Sequence, residues 1–271
     1  MNMMSGIGKL DRKRLSEVLR RTKGTISVRE CSDILKIPPS TAAKLLARWA
    51  SKGWLSRARR GLYVPVPLES RTADIAPEDP WLIAERLFAA CYIGGWSAAE
   101  HWGLTEQIFR TISVMTTKKP RTRDQVIMGI GFKLRSVSPK ELFGLKSVWR
   151  KQVKVNVSDP TRTVLDALND PRTGGGLRPT VDIFRTYLRS EHKDLDLLLA
   201  YADRLGNGAV FKRLGYLLER YAGGEKKLIE ACQTRLTQGN ARLSPDLLSD
   251  RLVTSWRLWV PRGWPREKSR D

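Results

Sequence analysis

The chain has 271 residues, 41% of them hydrophobic, which allows about two domains with packed cores and excludes a disordered polymer. Its 49 Lys+Arg stand against 28 Asp+Glu, a formal net charge of +21. A surplus of that size repels itself in a compact protein unless a polyanion lies opposite, and nucleic acid is the commonest such partner.

Cys31, Cys91 and Cys232 are too far apart for a disulfide framework or a Cys-x-x-Cys metal knuckle and suit a reducing cytoplasm. With no signal-peptide core and no apolar run near ~18 residues, a cytoplasmic protein without a membrane partner is expected. Residues 1–70 carry 15 basic and 5 acidic side chains, net +10, and residues 71–271 carry 34 and 23, net +11. The N-terminal quarter is therefore the most basic part per residue.

The first predicted helix covers residues 11–21, where Leu15, Val18 and Leu19 recur at helical spacing and Lys23-Gly24 stops the run. In SVRECSDILKI, Ser27 with Glu30 three residues on spells a capping box, Val28, Cys31, Ile34 and Leu35 share one face, and Ile37-Pro38 ends the helix. PSTAAKLLARWASKG predicts a third helix, capped by Ser40 or Thr41 and closed by Gly53. Leu45, Leu46 and Trp49 face inward. Ser40, Thr41, Lys44 and Arg48 are left outside, short hydroxyls and long cations of the kind a recognition helix presents to phosphates and base edges.

WLSRARRGLYVPVP then reads as a hairpin that turns over residues 57–61, with Arg57, Arg59 and Arg60 at its tip. Cations crowded at a hairpin tip are best stabilised by phosphates opposite. Helix, helix, turn, helix, basic hairpin is the order of a winged helix-turn-helix. The expected organisation is α+β: a winged helix-turn-helix over residues 1–67, an acidic, Pro-containing linker over 68–80, and a larger mixed α+β domain over 81–271 with a helical C-terminal part.

Within the larger domain, a helix is predicted over 97–102 and strands over 112–115, 132–137 and 153–157. Ser158-Asp159-Pro160 starts a further helix over 161–168. Gly94-Gly95-Trp96 reads as a tight turn kept for packing, and His101 as a structural histidine. Lys118, Lys119, Arg121 and Arg123 form either a solvated loop or a second basic patch.

The RGLYVP end of the basic unit, the block YIGGWSAAEHWGLTEQ, the strand and turn SVMTTKKPR, and VSDPTRTVLDAL occur in that order. Together they resemble the AbiEi-type antitoxins of type IV toxin–antitoxin (abortive infection, phage-defence) systems over roughly residues 10–180. The resemblance implies a winged helix that binds repeats in the system's own promoter and represses it. It also implies a larger domain that neutralises a nucleotidyltransferase-like toxin without a stable complex. Stand-alone regulators share the N-terminal domain, so a regulator without a toxin is the alternative. Whether the chain is a monomer in solution or a dimer on double-stranded DNA stays open.

Signals for an enzyme are weak, and no cofactor, metal or catalytic residue is expected. The run from Thr173 to Leu177 is Gly-rich but lacks the Gly-Lys-Ser/Thr of a phosphate loop and reads as a flexible connector. Two histidines, His101 and His192, offer little for a metal site. A metal-dependent nuclease would have to draw on Asp159 and Asp166 with Lys151 or Lys154, although Asp159 also reads as a helix cap and Asp166 as lying on the face of its helix. Helices are predicted over 181–188, 195–205 and 211–221. The Trp256, Trp259 and Trp264 segment, interleaved with Arg257 and Arg262, reads as a final strand or arm docked on the sheet, or as a contact surface.

Overall fold

In a computed structural model, residues 8–22, 24–66, 79–150 and 153–264 are described. Lys23, most of the expected linker, Lys151 and the tail from 265 fall outside the described residues. The chain is α+β.

The N-terminal unit follows the element order α1 (Lys9–Arg21), β1 (Ile26–Ser27), α2 (Val28–Leu35), α3 (Pro39–Ser51), β2 (Leu55–Arg59) and β3 (Leu62–Pro65). Its three strands form one small antiparallel sheet in the order β1-β3-β2. The core holds Leu15 and Val18 from α1, Cys31 from α2, Leu45, Leu46 and Trp49 from α3, and Leu55 and Tyr63 from the hairpin. Leu19, expected inside, is exposed. A core-facing stripe needs only Leu15 and Val18 here, because α1 is covered on one narrow side.

The capping box of α2 forms as its spacing predicts: the Ser27 Oγ accepts from the Glu30 backbone N–H at 3.1 Å, and the Ser27 N–H donates to Glu30 Oε2 at 2.9 Å. The cap expected for α3 does not form. Pro38 is the N-cap, Pro39 occupies the first helical position, and no side chain caps the helix. Two prolines supply the pre-set φ that a capping hydroxyl would otherwise help select, so Ser40 and Thr41 lie inside the first turn.

A six-stranded mixed sheet dominates the remainder. Its strands are β4 (Cys91–Ile93), β5 (Thr111–Thr116), β6 (Asp124–Ile127), β7 (Ile130–Ser136), β8 (Leu145–Arg150) and β9 (Val153–Ser158), in the order β6-β7-β5-β4-β9-β8. One face buries Ile93, Val114, Phe132, Leu134, Val155 and Val157 together with Leu82, Ile83 and Leu87 of α4 (Pro80–Phe88). Leu62 of β3 joins that same cluster, so α4 is where the N-terminal unit meets the sheet. Glu30 and Arg86 form an ion pair across the junction at 2.7 Å.

Period-two alternation sends Tyr92, Met115, Lys133 and Arg135 to the opposite face. There α5 (Gly95–His101) and α6 (Pro160–Asn169) pack, followed by α7 (Leu177–Arg189), α8 (Leu195–Leu205), α9 (Gly208–Tyr221) and α10 (Lys226–Gln233).

Two expectations for this part are corrected. The Thr173–Leu177 run is no flexible connector: residues Pro171–Gly174 form a 3-10 turn with Thr173 and Gly174 buried. A Cβ on Gly95 would lie 2.1 Å from the Thr173 carbonyl oxygen, so the turn is pressed against the start of α5. The Trp segment does supply a final strand, as one of its readings expects, but in a separate three-stranded sheet and not on the six-stranded one. β12 (Leu258–Pro261) lies between β10 (Ala241–Arg242) and β11 (Ser249–Val253). Trp256 is fully buried against Gly215 of α9, where a Cβ would come within 2.0 Å of its ring, and its Nε1 donates to Glu219 at 2.6 Å.

Candidate nucleic-acid interface

On α3 the buried residues Ala42, Leu45, Leu46 and Trp49 define one side. The other side exposes Ser40, Thr41, Lys44, Ala47, Arg48 and Ser51, a stripe at the three- and four-residue spacing of a single helix face. Ser40, Thr41 and Lys44 have no side-chain partner among the described residues. Arg48 differs: its Nη2 donates to Asp11 Oδ1 at 2.7 Å, which ties α3 to α1. Arg48 is thus partly committed to holding the unit together.

Sequence reasoning missed Lys36. It occupies the left-handed C-cap of α2 at φ 50°, exposed in the turn just ahead of α3. A polar residue placed directly before Ile-Pro-Pro, where the chain must break, was the available signal.

The hairpin is basic, but its three arginines do not share a tip. Arg57 and Arg59 lie within β2, and Arg60 alone sits in the turn with Gly61. A register shift separates the two strand arginines: Arg57 stands opposite Tyr63 and Arg59 opposite Leu62. Tyr63 packs into the three-helix core and Leu62 into the α4 cluster. Residues directly opposite share a sheet face, so the bulge at Ala58 turns Arg57 to the α3 side and Arg59 to the α4 side. All three remain exposed and without a partner among the described residues.

The junction beside this surface is held by Glu30. Burial works to raise its pKa, but the Ser27 hydrogen bonds and the Arg86 guanidinium outweigh burial and hold the carboxyl below its ordinary value.

The second expected patch divides. Lys118 donates to the Leu87 carbonyl at 3.2 Å, capping the end of α4. Lys119 and Arg123 line a cleft on the far face of the sheet, and Arg121 stands exposed between them.

The carboxylates considered for a nuclease are occupied otherwise. Asp159 caps α6 by accepting from the Arg162 N–H at 2.7 Å, and it also accepts from the Tyr201 hydroxyl at 2.9 Å. Asp166, expected on a helix face, is sealed in the interior, where every position of α6 from 160 to 168 is buried between sheet and helices. It accepts from Arg162 Nε at 3.0 Å and from the Tyr92 hydroxyl at 3.2 Å. Burial pushes its pKa up while Arg162 and Arg135 pull it down. Lys154 lies over the Trp149 ring at 5.0 Å. His101 packs edge-on against Trp81 and Trp102 at 5.3 and 4.6 Å, and burial together with nearby Arg150 lowers its pKa.

A three-helix unit whose last helix exposes hydroxyls and a cation beside a basic hairpin is consistent with a winged helix-turn-helix. Residues 13–66, which span nearly all of that unit, match the family model described as transcriptional regulator, AbiEi antitoxin. No curated protein matches the chain. Among the described residues no helix is long and apolar enough to cross a membrane.

Proposed function

We propose that this chain is a DNA-binding transcriptional autorepressor and the antitoxin of a type IV toxin–antitoxin system, working in the cytoplasm without catalysis of its own. The observation that carries this reading is the exposed stripe of Ser40, Thr41 and Lys44, without a side-chain partner among the described residues, within a unit that matches the regulator family. The N-terminal unit, residues 1–67, is the DNA-binding domain, and residues 81–271 are the antitoxin domain beyond a linker at 68–80.

On the duplex, α3 enters the major groove with its N-terminal turn toward the bases. Lys44 reaches guanine edges or phosphate, and the hydroxyls of Ser40 and Thr41 take phosphate oxygens. Arg57, on the α3 side of the hairpin, contacts the flanking backbone together with Arg60. Arg59 faces α4 and contributes less. Arg48 contributes chiefly by fixing α3 on α1. Promoter repeats are bound by pairs of chains, with half-sites about one helical turn, ~34 Å, apart.

Footprinting on the DNA upstream of the chain's own gene tests the reading. Paired protected repeats are expected, and no protection at low salt would overturn it. A regulator without a toxin is the second reading, favoured by the restriction of the family match to residues 13–66. A neighbouring nucleotidyltransferase-like reading frame whose toxicity the chain suppresses decides against that alternative.

A further inference from the structure

The far face of the six-stranded sheet carries a cleft of about 580 Å³. Its cationic walls come from three places in the chain: Lys119 and Arg123 from the loop between β5 and β6, Lys133 and Arg135 from β7, and Arg172 from the 3-10 turn. Asp170 is the one carboxylate among the lining residues, and it is already claimed by Arg172 through two hydrogen bonds of 2.8 and 2.9 Å. Asp124 lies 3.6 Å from Lys133 at the exposed edge strand. That leaves Lys119 and Arg123 without a partner among the described residues, and Arg135 facing the Asn169 side-chain amide, whose oxygen comes within 3.1 Å when turned toward it.

Behind this wall is a further buried cation. Arg213 of α9 donates to the carbonyls of Leu168 and Asn169 at 2.9 and 3.0 Å and to that of Arg242 at 2.9 Å, with no carboxylate partner among the described residues. Burial brings its pKa down to about 10; Asp170 opposes this, while the charges of Arg135 and Arg172 add to it. Cations drawn into one concavity, with the only lining carboxylate neutralised, repel one another until an anion with several charges enters.

The position of the cleft separates it from the proposed duplex surface. The N-terminal unit meets the sheet through α4, on the face of Phe132 and Leu134, whereas Lys133 and Arg135 alternate to the opposite face. The sheet therefore stands between the two basic sites, and one rigid duplex cannot lie on both. Guanidinium forks suit the oxygens of adjacent phosphates, and the cleft volume is in the range of small-ligand sites.

We infer that this cleft binds a ligand bearing two or more linked phosphates. The phosphate chain comes from a free nucleoside triphosphate or from the backbone of a single-stranded oligonucleotide, and the chemistry recognised is the same in both.

Calorimetric titration of the full chain with inorganic tripolyphosphate at low salt is the test. Saturable binding, tighter than that of orthophosphate, is expected. Arg123→Gln with Lys133→Gln should weaken it by about tenfold or more, since charge-assisted contacts are lost. The charge-keeping pair Arg123→Lys and Lys133→Arg should retain it, and Lys44→Gln with Arg57→Gln should leave it unchanged. If the neutralised cleft pair fails to fold, Lys119→Glu on the exposed loop serves in its place.

The inference is overturned by the absence of saturable binding, by unchanged affinity in a folded cleft variant, or by equal loss in the α3 and hairpin pair. ATP binding more tightly than tripolyphosphate would assign the free nucleotide. Displacement of tripolyphosphate by a short mixed-sequence oligonucleotide, with ATP no better, would assign the backbone. Failure of promoter binding, with tripolyphosphate binding intact, would sink the DNA reading alone.

Discussion

Cations do different work in the two regions of this molecule. In the N-terminal unit Lys36, Lys44, Arg57, Arg59 and Arg60 stand in solvent. In the helical region beyond the sheet, Arg162, Lys212 and Arg213 are buried. Arg162 is held by Asp166, and Arg213 by three backbone carbonyls. Lys212 donates to Thr237 at 3.0 Å and to the Gly239 carbonyl. Net charge alone therefore does not locate an interface. A buried cation is a structural group whose loss should destabilise the chain, and an exposed one without a partner among the described residues is available to a ligand.

The largest expected effect sharpens that contrast from the structural side. Asp166→Asn leaves the buried Arg162 guanidinium without its counter-charge and should cost about 3–5 kcal/mol in denaturant unfolding, the usual range for breaking a buried pair. DNA affinity of the fraction still folded should stay the same. A loss below about 1 kcal/mol would show that Arg162 is not sealed as described.

The next effect lies in the hairpin. Arg57→Ala should weaken promoter DNA by about 1–2 kcal/mol, and Arg59→Ala by clearly less, because the bulge aims them at opposite faces. Equal losses in gel-shift titrations would mean that Arg59 reaches the same duplex.

Smaller again is the junction at Ser27 and Glu30. Ser27→Ala removes the capping box and should cost about 1 kcal/mol of thermal stability. Glu30 has a folded pKa below its unfolded one, so its contribution is complete above the ordinary carboxylate pKa. It fades as pH falls through the folded value. Melting curves of the chain and of Glu30→Gln taken from neutral to acid pH should therefore converge; parallel curves would contradict the assignment. Smallest is Arg48→Ala. Its pair with Asp11 is half exposed and should be worth about 0.5 kcal/mol in stability.

The sequence made the N-terminal unit legible because each of its elements carries a local signal: the Ser27–Glu30 box, the apolar stripe of α3, and Gly61 at the turn. What it hid depends on register or tertiary packing. The bulge at Ala58 is fixed by which of Leu62 and Tyr63 meets α4, and that choice is not local. Ser40 and Thr41 spell a hydroxyl cap for α3, yet two consecutive prolines start the helix without one. Farther along, β4, β6, β8 and α10 carry little periodicity to delimit them: β4 is a three-residue central strand buried throughout, β6 and β8 are the edge strands, and α10 is short. The cleft has no local signature, because Lys119 and Arg123 meet Lys133, Arg135 and Arg172 only through the alternation of β7 and the fold of the 3-10 turn. Arg213 gave one indirect sign. It lies between Gly208 and Gly215, each pressed by a side chain, on a helix buried continuously from Val210 to Leu218.

The most direct test of the DNA reading is the salt dependence of binding to the region upstream of the chain's own gene, compared between the native chain and Lys44→Ala with Arg57→Ala. Plotted as log affinity against log salt, the native slope should be steep, and the double variant should be shallower by about 0.9 for each phosphate contact removed. A flat native titration, or a variant slope identical to the native one, would contradict the assignment of α3 and the hairpin to the duplex.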